Sequence, residues 1–195
     1  DLKTNAITPW RTGLDRTNGL AFDAQGRLFG CCQGGRRMLR FDPDGKNEKV
    51  LLKEKEAIHP YTFAVSPDGT KLLWRRIAPT GGKSESGRNS EVFWMNLETG
   101  EQKNLTTNQA YDGWPAWSPD GQRIAFASNR ANVEFEAFDI YVAEADGSNP
   151  TRVTFGDGIE GRGSWTKPSF SADGKRILCT RTVGTSVDIW VITLR

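Results

Sequence analysis

Few residues in this chain have the type and spacing to do chemistry. His59 is the only histidine. That excludes a multi-histidine metal site and leaves one candidate for a histidine general base, on a loop immediately before Pro60. Asn18, Asp112 and Glu160 are the oxygen donors placed to share a divalent cation such as calcium or zinc, although no cofactor is firmly implied. Trp114 and Trp165 offer flat aromatic faces on which a sugar ring or peptide side chain can stack while nearby polar groups read hydroxyls. Cys31, Cys32 and Cys179 are odd in number and two are adjacent, so they do not outline a disulfide framework and read as small buried hydrophobes. Gly82-Lys83-Ser84 lacks the glycine spacing and helix of a phosphate loop, and Asp146-Gly147 and Asp157-Gly158 are turn chemistry before they are calcium ligands. No nucleophile elbow or Ser-His-Asp set can be assembled.

The elements that must position these residues are short strands. Twenty-one glycines, nine prolines and seven tryptophans in a chain that is 36% hydrophobic are an all-β composition rich in tight turns. The charge balance of 26 Lys+Arg against 24 Asp+Glu, without a run of five like charges, leaves no electrostatic footprint for nucleic acid or an anionic membrane. No apolar run is long enough to insert in a bilayer, and the chain does not open with the basic and apolar segments of a signal peptide.

A repeat organises the strands. Ser66-Pro67-Asp68-Gly69, Ser118-Pro119-Asp120-Gly121 and Ser171-Ala172-Asp173-Gly174 are hairpin turns, and Asp23-Ala24-Gln25-Gly26 is a degenerate copy. Each ends in a glycine suited to the left-handed position. A first strand precedes each turn and a second follows it. A nearly continuous apolar third strand comes next, as in Val92-Phe93-Trp94-Met95 or Ile189-Trp190-Val191-Ile192, and implies burial on both faces. Polar outer strands such as Gln102-Lys103-Asn104-Leu105-Thr106 complete the unit and guard its edge. A period near 40 to 50 residues with four strands per unit predicts an all-β, four-bladed β-propeller as a single domain over residues 1–195. Its blades fall at about 14–54, 55–107, 108–155 and 156–195. The last copy lacks an outer strand, and Asn5-Ala6-Ile7-Thr8-Pro9-Trp10-Arg11 is the spare strand expected to complete it and close the ring. Trp74, Trp94, Trp117 and Trp190 are expected in the core.

Gly113 to Thr154, with Trp114-Pro115-Ala116-Trp117-Ser118-Pro119-Asp120-Gly121 and Asp139-Ile140-Tyr141-Val142, resembles the TolB-type, WD40-like (PD40) propeller repeat. The second and fourth units share it more loosely, so the resemblance spans about three quarters of the chain. It implies a propeller and a periplasmic or secreted setting. The first unit, with Asn18-Gly19-Leu20-Ala21-Phe22, instead resembles a blade of the SMP-30/gluconolactonase group, which implies a metal-dependent lactone hydrolase with Asn18 among its site-forming residues. In propellers the loops entering the inner strands share one rim, which here gathers Asn18, His59, Tyr61, Asp112, Trp114, Glu160, Trp165 and Lys167. The expected function is a non-catalytic recognition or scaffold module binding a protein, peptide or glycan at that rim through Asn18, His59, Asp112, Trp114 and Trp165. The alternatives are a lactonase-type hydrolase using Asn18, Asp112 and Glu160, and a propeller fragment that assembles with other copies.

Overall fold

The chain is described by a computed structural model covering residues 17–32, 35, 37–53, 62–78, 89–131, 137–155 and 163–195. Among these residues there are fifteen strands and no helix. The first sheet is β1 (Thr17–Phe22), β2 (Leu28–Cys32), β3 (Arg37–Phe41) and β4 (Lys49–Lys53). The second is β5 (Phe63–Val65), β6 (Lys71–Ala78), β7 (Asn89–Asn96) and β8 (Gln102–Asn104). The third is β9 (Asp112–Trp117), β10 (Arg123–Ser128), β11 (Asp139–Glu144) and β12 (Thr151–Arg152). The fourth is β13 (Ser164–Phe170), β14 (Arg176–Val183) and β15 (Ser186–Thr193). Each sheet is an antiparallel meander in chain order, as the repeat predicts, and the fourth has three strands among the described residues.

The repeated tetrad works as a side-chain-locked turn. Ser118 Oγ donates to Asp120 Oδ1 and accepts the Arg123 amide at 2.9 Å, while Asp120 Oδ1 accepts the Gln122 amide at 3.0 Å. Ser66/Asp68 and Ser171/Asp173 repeat this. The serine hydroxyl hydrogen bond, helped by the amide, holds each of these aspartates below the ordinary carboxylate range. Gly69, Gly121 and Gly174 take φ of 70°, 68° and 68°, the left-handed region that side chains resist. In the degenerate first turn, Asp23 Oδ1 accepts the Gln25 and Arg27 amides in place of the missing serine.

Adjacent sheets meet through one grammar. Phe29, Cys31 and Met38 of the first sheet pack on Leu72, Trp74 and Met95 of the second. Leu73 and Val92 then pack on Ile124, Phe126 and Tyr141, and Ala125, Ala127 and Ile140 on Ile177 and Cys179. Alternate residues of one strand thus serve opposite seams, which is why the middle strands are apolar without a break. Trp74 and Trp117 are core as expected, and Trp117 Nε1 also donates to the Ala64 carbonyl across the seam at 3.3 Å. An arginine beside the start of the second strand ties two of the three seams at the turn end: Arg27 donates to the Gly69 carbonyl at 3.0 Å and Arg123 to that of Gly174 at 2.9 Å. The three cysteines are free and buried. Burial pushes the Cys31 thiol up to about 12 and that of Cys179 to about 11, so both stay protonated.

Two expectations need correction at the ends of this row. Trp190 is 43% exposed and is not a core residue, although its ring meets Trp165 edge-on at 5.5 Å. β15 as a whole is exposed, because among the described residues no strand pairs with its outer edge and no sheet covers its outer face. Sheets one to four pack in sequence, and among the described residues no strand of the fourth packs on the first to a comparable extent. The spare strand expected over residues 5–11 lies outside the described residues.

Candidate functional site

Three of the inner strands, β1, β9 and β13, bulge part-way along their length. In β9, Trp114 and Pro115 lie between the pairs Gly113/Ala127 and Ala116/Ala125, so two residues oppose Phe126 alone. In β13, Lys167 and Pro168 oppose Cys179 in the same way. Trp114 and Lys167 both precede proline and both take left-handed backbone angles, φ 50° and 55°. That region is strained for a side chain, and a bulge re-aims the residues within it. β1 bulges one step further from its turn, at Asn18-Gly19 opposite Cys31; the Asn18 side chain lies outside the described residues.

Aromatic side chains surround the bulge of β9. The half-buried Trp114 ring lies 5.6 Å from Tyr111 and perpendicular to Phe138 at 5.4 Å, and the Arg75 guanidinium sits 4.9 Å over the Tyr111 ring. In the next sheet Arg181 lies 5.2 Å over Trp165 and 5.7 Å over Trp190. The Trp165 amide donates to the Phe138 carbonyl at 2.8 Å and joins the two units. Its indole Nε1 is buried and has no hydrogen-bond partner among the described residues. Both tryptophans pack against the core between the third and fourth sheets and are only half-buried. The Lys167 side chain is exposed.

Asp112 has a different part. It is fully buried, with one carboxylate oxygen taken by Arg130 Nη2 at 3.0 Å and the other by Asn108 Nδ2 at 2.5 Å. Its carbonyl accepts Ser90 Oγ at 2.9 Å. The backbone carbonyl thus fastens β9 to the second sheet, and the carboxylate, with both oxygens taken by Arg130 and Asn108, is poorly placed to bind a cation. Glu160 and His59 lie outside the described residues, and among the described residues no three acidic, histidine or cysteine side chains gather as a metal site would require.

Glu91 is a buried acid absent from the sequence-based candidates. Thr106 Oγ1 donates to its Oε2 at 2.7 Å, and the Asn108 amide to its Oε1 at 3.1 Å. Burial pushes its carboxyl up to about 7; the Thr106, Asn108 and Asn89 hydrogen bonds oppose the rise, and the Asp112 charge adds to it. Asp139 repeats the position one sheet later, where Thr154 Oγ1 donates to Oδ1 and Arg152 Nη2 to Oδ2 at 2.6 Å. Each threonine also accepts the next residue's amide, Val92 or Ile140, at 2.8 Å. The sequence carries this lock as an acid in the first half of the third strand, followed by a Leu-Thr or Val-Thr pair just after the outer strand.

The chain matches the TolB beta propeller domain family, PD40, over residues 33–195. It belongs to that family. The match begins after most of the first sheet's inner half, and the gluconolactonase likeness of that sheet has no counterpart in it. Among relatives, the chain is 32% identical over 156 residues to dipeptidyl-peptidase 5 of Porphyromonas gingivalis, covering 78% of this chain and 22% of the peptidase. A putative TolB from Agrobacterium tumefaciens superposes with a TM-score of 0.74 at 21% identity, over 98% of this chain and 63% of that one. An oligogalacturonate lyase in complex with manganese gives 0.69 at 21% identity, over 92% and 50%. The chain thus spans less than two thirds of each of these proteins, and at such identities the structural matches speak for the propeller fold alone.

Proposed function

We propose that this PD40 propeller is a non-catalytic recognition module that binds a protein, peptide or glycan at the rim where its inner strands bulge. The carrying observation is the pair Trp114 and Lys167, held in left-handed backbone at matching bulges. Left-handed backbone is strained for a residue with a side chain, and strain of this kind clusters at functional sites. An aromatic face on one inner strand and a cation on the next suit an acidic sugar or a peptide carboxylate. A peptidase and an oligogalacturonate lyase among the similar proteins make peptides and oligogalacturonates the first probes. A periplasmic or secreted setting belongs to the same reading.

The test is retention on peptide and oligogalacturonate arrays. Wild type should retain a subset, and Lys167→Ala and Trp114→Ala should each lose at least about tenfold in affinity, the scale of one lost charged or stacking contact. Failure of wild type to retain any probe, or retention unchanged in Lys167→Ala, would overturn the reading.

The same reading gives the fourth strand of the last sheet to residues 5–11. Ile7-Thr8 repeats Leu105-Thr106 and Val153-Thr154, and Asp188-Ile189 repeats Glu91-Val92 and Asp139-Ile140. Thr8 then locks to Asp188 as Thr106 does to Glu91. Thr8→Val and Asp188→Asn should destabilise the chain without adding to one another in a double-mutant cycle. Additive effects would refute the pairing.

A further inference from the structure

We infer that the cleft between the first and second sheets, at their turn end, is a binding site for a phosphorylated sugar. The cleft has a volume of about 630 Å³, within the range of small-molecule sites. Arg27, Arg40 and Lys49 line it from the first sheet, and Thr70, Asn96 and Glu98 from the second. The other seams show what this place holds elsewhere in the repeat. Directly paired residues share a face of the sheet, and Phe29, Arg40 and Lys49 pair in one row across β2, β3 and β4. The corresponding rows are Leu73, Trp94 and Lys103 in the second sheet and Ala125, Val142 and Thr151 in the third. There the third strand supplies an apolar side chain: Trp94 packs into the second seam and Val142 into the third. Lys103 Nζ also reaches the Asp146 carbonyl of the next sheet at 3.0 Å. The first seam has Arg40 in the apolar place. Its Nε–H is buried without a hydrogen-bond acceptor. Lys49, the counterpart of Lys103, is exposed and has no hydrogen bond or ion pair across the seam among the described residues.

Charge and hydrogen bonding name the ligand. Like charges directly opposite one another on a sheet repel, and a buried donor without an acceptor is costly, so Arg40 and Lys49 are placed for a partner from outside. Arg27 is not available for it, since Asp23 and the Gly69 carbonyl occupy its guanidinium. Two neighbouring cations match a dianion better than a single charge, and a phosphate monoester carries about two negative charges near neutral pH. Arginine offers it a planar fork of donors and lysine a point charge. The facing wall is polar rather than cationic. Asp68, which also lines the cleft, is turned into its own hairpin by Ser66 and Thr70. Asn96 Oδ1 is taken by the Glu98 and Thr99 amides, which leaves that side chain its amide donors. With the exposed Glu98 carboxylate as acceptor beside it, this wall suits hydroxyl groups. A phosphate held on one wall and hydroxyls read on the other describe a sugar phosphate.

The test is isothermal titration calorimetry in low-salt buffer with glucose 6-phosphate, ribose 5-phosphate, inorganic phosphate and glucose. At least one of the two sugar phosphates should bind more tightly than inorganic phosphate, and glucose should give no signal. Lys49→Ala, at an exposed position, and Arg40→Val, which installs the residue type of the third sheet, should each weaken binding by at least about tenfold, the scale of one lost charged contact. Arg40→Val should also keep or raise the melting temperature, because an apolar side chain fits this step in the third seam, whereas an arginine with a purely structural part would leave the chain less stable when lost. Absence of binding by both sugar phosphates overturns the inference, as does inorganic phosphate binding as tightly as either or affinity unchanged in Lys49→Ala. The exposed Lys49 variant decides even if Arg40→Val fails to fold, and no outcome bears on ligand retention at the bulged inner strands.

Discussion

Replacing Glu91 by glutamine should remove a pH dependence that the fold itself creates. In the folded chain the Glu91 carboxyl sits near 7 against an ordinary 4.5, chiefly because burial penalises its charged form. Between those values the folded state holds a proton that the unfolded state has released, so stability falls as pH rises through the window and levels off above about 7. Each pH unit of such a gap is worth about 1.4 kcal/mol. The ceiling is therefore roughly 3 kcal/mol, reduced by whatever the neighbouring Asp112 and its donors do to relax as the charge forms. The amide introduced by Glu91→Gln has no charge to bury and keeps an acceptor for the Thr106 hydroxyl, at a cost that does not change with pH. Urea denaturation of both proteins at pH 5, 6, 7 and 8 isolates the effect, because other titrating groups cancel in the difference. The variant should gain on wild type by about 2–3 kcal/mol from pH 5 to pH 8. A difference that stays flat, or that runs the other way, would refute the account of Glu91.

Asp112→Ala leaves the Arg130 and Asn108 donors without their buried acceptor and should destabilise the chain by about 2–4 kcal/mol in urea; a loss below about 1 kcal/mol would mean the network is dispensable. Gly121→Ala meets open space, its nearest neighbour being Pro67 at 3.8 Å, and should cost only the left-handed backbone penalty of about 1–2 kcal/mol. Gly147→Ala places a methyl 2.5 Å from the Leu105 carbonyl oxygen and should cost more, so equal losses in the two would count against the geometry. The lowered carboxyls of Asp68, Asp120 and Asp173 contribute stability that is present above the ordinary aspartate value and is lost as pH falls through it toward their folded values. Asp68→Asn should therefore flatten the acid limb of a melting curve below about pH 4, the range of an ordinary aspartate, and an unchanged limb would contradict the turn lock.

Much of the architecture is legible in the sequence because turn chemistry is local. The Ser-x-Asp-Gly tetrads specify a left-handed glycine and two side-chain caps within a few residues, so they locate three of the four hairpins between first and second strands, and the degenerate Asp23–Gly26 turn locates the other. The unbroken third strands likewise announce sheets buried on both faces. Trp190 shows where that reasoning stops. Its strand reads like Val92 to Met95, but burial depends on a neighbouring sheet and a neighbouring strand, which periodicity cannot count. The candidate site is less legible for a related reason. Asp112 looks like a rim ligand until Arg130 and Asn108, 18 residues later and four earlier, are seen to consume it. Glu91 passes unremarked because its partner Thr106 lies 15 residues away, beyond the next strand. The bulges at Trp114 and Lys167 leave a trace, a residue before proline in an inner strand, that becomes informative only once the ladder shows two residues opposing one.

The most direct test of recognition at the rim is to map where a ligand selected on the arrays touches the protein. Titrated into isotopically labelled protein and followed by NMR, it should first move the indole resonance of Trp114 and the amide of Lys167. The turns at Gly69, Gly121 and Gly174, at the other end of the sheets, should stay still. Movement confined to those turns, with Trp114 and Lys167 unchanged, would contradict the claim.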